Sequence, residues 1–197
     1  MTDSPVTFDV ARPETMGRAH VFLRILLLVL VSWIAGSDTG GGLVYLGLPV
    51  AAAILIADKG GARYITEDGE RITKLLIFLV AVLAYVALLT DELPGSGRST
   101  IRLEIACSGT PTVSSALWRI VKAIPSAIVL GLIGIVSWIV WIIAAIFILA
   151  KERYPEGLWK FQRGVVRWEA RLLGYLASLV VDYPPFSFDT GPAATTL

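Results

Sequence analysis

The chain has 197 residues, 55% of them hydrophobic and 17% charged, with mean hydropathy +0.72 and net charge +1. Soluble domains carry roughly 25% charged residues, so this composition points to a membrane protein, and the near-neutral balance argues against electrostatic capture of nucleic acid. Cys107 is the only cysteine and His20 the only histidine, which excludes an intrachain disulfide and argues against a zinc site, which needs several Cys or His ligands.

In chain order, the first 18 residues hold two Asp and one Glu and lack the basic opening and small-residue cleavage site of a signal peptide. The first apolar segment is therefore expected to stay in the mature protein. "VTFDV" (6–10) alternates apolar and polar residues, the period of a strand. Two apolar runs follow, 21–36 and 43–57, around a turn at "SDTGGG", and predict helices over about 20–36 and 43–58. A third run, 75–89, predicts a helix over about 70–91. "IRLEI" (101–105) alternates again. The run 127–150 carries no charge and exceeds the roughly 20 residues of a membrane span. Helix is expected over about 114–150, as one long span or as a hairpin turning near "GLIG" (131–134). A last helix is expected over about 157–182, with 188–197 as a polar tail.

Sliding the chain along itself exposes a repeat. At an offset of 90, residues 63–94 lie without a gap on 153–184, pairing Tyr64 with Tyr154, Tyr85 with Tyr175, Ala87 with Ala177 and Pro94 with Pro184. At an offset of 95, residues 6–24 lie on 101–119, pairing Ala11 with Ala106 and Arg24 with Arg119. The expected fold is thus an all-α integral membrane protein built as a tandem repeat. A short strand leads each unit, followed by an apolar helical hairpin and a third helix, interfacial or spanning, giving about 4–6 membrane helices. The units are 1–94 and 95–187. Pairing of the two strands on one side would place most Arg and Lys on a single face, as the positive-inside rule prefers.

"AIPSAIVL", "RYPEGLWKFQRGVVRWEARLLGY" and "DYPPFSF", within 123–188, resemble the bacterial membrane family known as domain of unknown function 4389. The resemblance is good over the second unit and degenerate over the first, where "TDELP" survives from the exit motif. In the second unit Val180 and Val181 stand where the family has Thr-Asp. The resemblance implies a bacterial membrane protein without an assigned reaction and brings no catalytic residues to carry over. With the apolar runs, a multi-pass protein of the bacterial inner membrane without a cofactor is expected.

Arg163, Arg167 and Arg171 fall within about 80° on a helical wheel. They read as a snorkelling, solvated face of an interfacial helix, which is compatible with binding lipid headgroups or another anion. Tyr154, Trp159, Trp168 and Tyr175 read as interfacial anchors. Glu169 sits in an apolar arc and needs a partner or a proton. His20 reads as an interfacial histidine, Asp91 and Glu92 as a solvated helix exit, and Cys107 as an inert or exposed thiol. Trp138 and Trp141 share one helix face, suited to lipid, another chain or a pigment; nothing else supports a pigment. No nucleophile–base pair or metal-ligand set stands out, so the expected role is a non-enzymatic accessory or scaffold subunit of a larger membrane complex, respiratory or photosynthetic in type. Membrane lipids and protein partners are expected, and nucleic acid is not. The alternative is a small transporter or lipid-handling protein using Glu169 and the arginine stripe.

Overall fold

Two five-residue strands 95 positions apart in sequence find each other. In the computed structural model, which describes residues 4–35, 40–95 and 100–188, β1 (Val6–Val10) pairs antiparallel with β2 (Ile101–Ile105). Val6 faces Ile105, Phe8 faces Leu103 and Val10 faces Ile101. Replacing each residue n of β1 by n + 95 reproduces this register. The flanks obey the same exchange: the Ala11 N–H donates to Thr100 O (3.0 Å) and the Ala106 N–H to Pro5 O (2.8 Å). The alternation sorts the two faces. Val6, Phe8, Val10 and Leu103 are buried, while Thr7, Arg102 and Glu104 point to the exterior.

The helices are α1 (Arg18–Ala35), α2 (Gly40–Lys59), a short α3 (Gly61–Arg63), a π-helical turn (Tyr64–Asp68), α4 (Gly69–Val86), α5 (Val113–Lys151) and α6 (Glu156–Leu176). α4 and α6 pack side by side beneath the sheet, and α1, α2 and α5 form the layer beyond them. α6 is the central element, buried over most of its length.

α5 begins with a capping box, in which the Ser115 N–H donates to Thr112 Oγ1 (3.2 Å) and the Thr112 N–H to Ser115 Oγ (3.0 Å). It then runs unbroken for 39 residues to Glu152, whose left-handed φ of 55° ends it. Of the two forms expected for 114–150, the single long helix is the one found, with no turn near 131–134. Gly131 and Gly134 have no atom within 4 Å of an added Cβ, so they are small residues on an open helix surface and not a bend.

The hairpin expected of the first unit is also replaced. The Met16 N–H, just before α1, donates to Glu152 O at the end of α5 (2.9 Å). Gly61, just after α2, lies against Pro111 at the start of α5. A helix of 39 residues is about 58 Å long. α1 and α2, of 18 and 20 residues, measure about 27 and 30 Å. The outer ends of α1 and α2 therefore stand as far apart as α5 is long, and the two helices run in succession along it. The first half of the expected "SDTGGG" turn, 37–39, lies outside the described residues, and its three glycines open α2.

Among the described residues, α5 alone is long and apolar enough to cross a membrane, against the four to six helices expected. Its exposed side carries Leu117, Val121, Ile124, Ile128, Leu132, Ile135, Ile139, Ile142 and Ile146. These steps of three and four trace one stripe of about 44 Å. At a helix width of about 10 Å this is some 440 Å² of apolar surface, the size at which an exposed patch marks an interaction. α1 and α2 add Phe22, Leu26, Val29, Leu46, Val50 and Ile54, all exposed.

Substituting glycines separates these features. Gly131→Ala is expected to leave thermal stability unchanged or raised by about 0.5–1 kcal/mol, as for alanine in a helix interior. Gly61→Ala places a Cβ 2.0 Å from Pro111 O and is expected to lower the melting temperature sharply. A melting series in mild detergent checks both, and a strongly destabilised Gly131→Ala would restore the turn.

Candidate functional site

Two arginines enter the interior from the second turns of long apolar helices. Arg24 on α1 is fully buried, and Arg119 on α5 is 7% exposed. Each reaches the exit of a third helix. Arg24 Nε donates to Tyr85 O (2.6 Å), Nη2 donates to Thr90 O (2.5 Å), and the guanidinium lies 4.4 Å from the Tyr85 ring centroid. Arg119 Nη1 donates to Tyr175 O (2.5 Å) and Val180 O (2.7 Å), with its guanidinium 4.4 Å from the Tyr175 ring centroid. Tyr85 and Thr90 lie 90 residues before Tyr175 and Val180.

The helix exits match as well. Ala87 and Ala177 cap α4 and α6, and Leu88 (φ 63°) and Ser178 (φ 58°) follow in the left-handed region. That conformation costs a non-glycine residue roughly 1–2 kcal/mol. The exit carbonyls find their donors in the arginines, and hydrogen bonds to a charged donor contribute about 1.5–3 kcal/mol each.

The two clamps differ in one respect. Arg24 pairs with Asp91 Oδ1 at 2.8 Å, and Asp91 Oδ2 accepts from the Gly17 N–H (2.6 Å). The position 90 residues on is Val181. Asp91 is thus a structural counter-ion, not the solvated exit expected, and Glu92 Oε2 accepts from the Thr100 N–H (3.0 Å).

The arginine stripe of α6 is covered. Arg167 and Arg171 are 3% and 2% exposed. Arg167 Nε donates to Phe8 O (2.9 Å), Arg163 and Arg167 share Asp9 Oδ1 at 3.3 and 3.6 Å, and Arg171 Nη1 donates to Ser187 O (2.9 Å). The stripe therefore fastens β1 and the final segment 183–188 onto α6, where a solvated face open to headgroups was expected. Trp159, Trp168, Tyr154 and Tyr175, expected as interfacial anchors, are buried at 2–3% exposure. Trp168 packs edge-on against Phe186 and Phe188, with ring centroids 5.4 and 5.9 Å away. Gly164 admits Phe188 at a distance no side chain would allow. Tyr64, the counterpart of Tyr154, donates to Ala177 O.

Glu169 stands apart from these partners. It lines a cavity of about 220 Å³ between α1, α4, α5 and α6, with Trp138, Trp141, Ser137 and Gln162. Ser137 Oγ donates to Gln162 Oε1 (2.8 Å) and Trp141 Nε1 to Val86 O (2.8 Å). The cavity leaves the carboxyl half-buried by accessible surface, yet protein surrounds it, and desolvation pushes it up to about 7. His20 Nδ1 meets Tyr85 Oη at 3.2 Å, a structural contact, and Cys107 is exposed. Among the described residues no group of three His, Cys, Asp or Glu is placed to hold a metal.

The residues missed by sequence reasoning as a site are Arg24 and Arg119. Their signal was present: each interrupts or opens an apolar run, and the offset of 95 pairs them.

Residues 114–187 match the profile of the family described as Domain of unknown function (DUF4389). This segment contains α6, nearly all of α5 and all but Phe188 of the final segment 183–188, the aromatic strap over α6. No curated protein and no solved structure matches the chain.

Substitutions at two of these acids give distinct expectations. Asp91→Ala is expected to cost about 2–3 kcal/mol of stability by leaving Arg24 without its counter-ion, and Arg24→Met to cost more, with or without Asp91→Leu, because it also leaves Tyr85 O and Thr90 O without their donor; denaturant titration checks the series. For Glu169, a folded-state pKa raised from 4.5 to about 7 means the native state holds the extra proton between those values. Its contribution is complete below pH 4.5 and is lost as pH rises through 7. Glu169→Gln should flatten that fall in a melting series and raise stability at pH 8.

Proposed function

We propose that the chain is a non-enzymatic accessory module of a larger membrane assembly, two related units joined in tandem and immersed in one leaflet through α1, α2 and α5. The observation that carries this reading is the opposition of two faces. An apolar stripe of about 44 Å runs along α5, while the sheet, on the far side of α4 and α6, presents Thr7, Arg102 and Glu104 outward.

Orientation follows from that opposition. An upright α5 of about 58 Å would overshoot a hydrocarbon core of roughly 30 Å and would place the charged sheet face at mid-depth, where an arginine or acid costs about 2.5–3.5 kcal/mol. Lying in the leaflet leaves those charges in water and sinks the stripe among acyl chains. The tandem reading rests on the paired clamps and on the strand register. In the bacterial inner membrane such a module would offer its polar sheet face to a protein partner.

Two related experiments test the proposal. The chain should sediment with membranes, resist an alkaline carbonate wash, and leave native membranes in mild detergent with stoichiometric partners. Recovery of a lone, water-soluble monomer would overturn it. A second reading, lipid handling or transport, draws on Glu169 in its cavity. It predicts that Glu169→Gln abolishes a lipid or transport phenotype at unchanged protein level, whereas a change in stability alone places Glu169 in the scaffold.

A further inference from the structure

We infer that the cavity beside Arg119 is a binding site for a phosphate group, presented by a lipid headgroup or free in solution. The cavity, about 310 Å³, lies between the loop after β2, the start of α5 and the exit from α6. Arg119 and Lys122 supply two cations to it, and Ser108 and Thr110 supply hydroxyls.

The two clamps treat their charge differently. Both arginines commit hydrogen bonds to a helix exit, but Arg24 also has the Asp91 carboxylate at 2.8 Å. Arg119 is 7% exposed and has no carboxylate within ion-pair distance among the described residues. Its Nη1 donates to both carbonyls, and Nε and Nη2 have no hydrogen-bond acceptor among the described residues. Val181, which takes the place of the acid, lines that same cavity.

A buried guanidinium without a counter-ion is unfavourable, since the interior replaces its hydration only when an anion is close. Here the chain has omitted its own anion at a clamp that opens on a cavity, and has placed Lys122 beside it. Arginine with lysine and surrounding hydroxyls is the donor set suited to phosphoryl oxygens. Trp118, 57% exposed, joins the cavity wall to the apolar stripe, which sets the site at the depth of lipid phosphates. That lipid source rests on the membrane reading above; the donor set does not.

The test uses the full chain in neutral detergent and in vesicles. Inorganic phosphate is titrated against the melting temperature, and vesicle flotation compares pure phosphatidylcholine with phosphatidylcholine containing phosphatidate. Val181→Asp, which rebuilds the Arg24–Asp91 arrangement, should weaken phosphate-group binding by at least about tenfold, equivalent to ~1.4 kcal/mol, without lowering stability in the absence of anion. Lys122→Gln should weaken it as well and serves if Val181→Asp does not fold. Enrichment on phosphatidate vesicles that these variants remove assigns the site to a headgroup, and a variant-sensitive response to inorganic phosphate alone assigns it to a soluble anion. No response in either arm, or responses that both variants leave intact, overturns the inference. Failure to float with phosphatidylcholine contradicts the membrane reading, and the phosphate titration then decides the site alone.

Discussion

Everything in this architecture hangs on arginine side chains placed where water is absent. A guanidinium carries five donors and does not lose its charge, so its burial forces carbonyls or carboxylates to gather around it. Arg24 and Arg119 gather the exits of α4 and α6. Arg163, Arg167 and Arg171 gather β1 and the aromatic strap. Helix packing in lipid lacks a hydrophobic drive between apolar surfaces. Directed bonds of this kind give such a chain one registry instead of a loose association of greasy helices.

The same bonds separate the faces. With every arginine of the stripe turned towards β1 or the strap, the sheet is pinned over α6, and its polar residues end up opposite the apolar side of α5. The exchange of n with n + 95 carries this across the molecule: exposed Phe22, Leu26 and Val29 correspond to exposed Leu117, Val121 and Ile124. Two units related in this way present their apolar residues to one side, which is what a leaflet-immersed module requires and what a channel through the membrane does not.

The alternation in "VTFDV" and "IRLEI" was enough to read both strands, and the fixed offsets were enough to pair Tyr85 with Tyr175 and Arg24 with Arg119. Other features were hidden for definite reasons. A helical wheel displays Arg163, Arg167 and Arg171 as one stripe but cannot show that residues 6–10 and 183–188 close over it. Gly131 and Gly134 suit a turn and an open helix surface equally, and only the neighbours, here absent, decide between them. Asp91 looked like an ordinary charged exit because its partner lies 67 residues away. The cavity at Glu169 depends on four helices at once, so no local pattern announces it.

The proposed immersion of the pair in one leaflet is open to direct measurement. Val29 lies 11 residues into α1 and Ile124 lies 11 residues into α5, at opposite ends of the long-helix layer. Nitroxide labels at these positions, read for accessibility to oxygen and to a water-soluble nickel reagent in vesicles, report their depths. Immersion in a single leaflet predicts equal depths for the two labels, and labels at Thr7 and Glu104 that are reached from water on one common side. Val29 and Ile124 at clearly different depths would mean that the layer stands upright across the bilayer, contrary to the arrangement argued from its two faces.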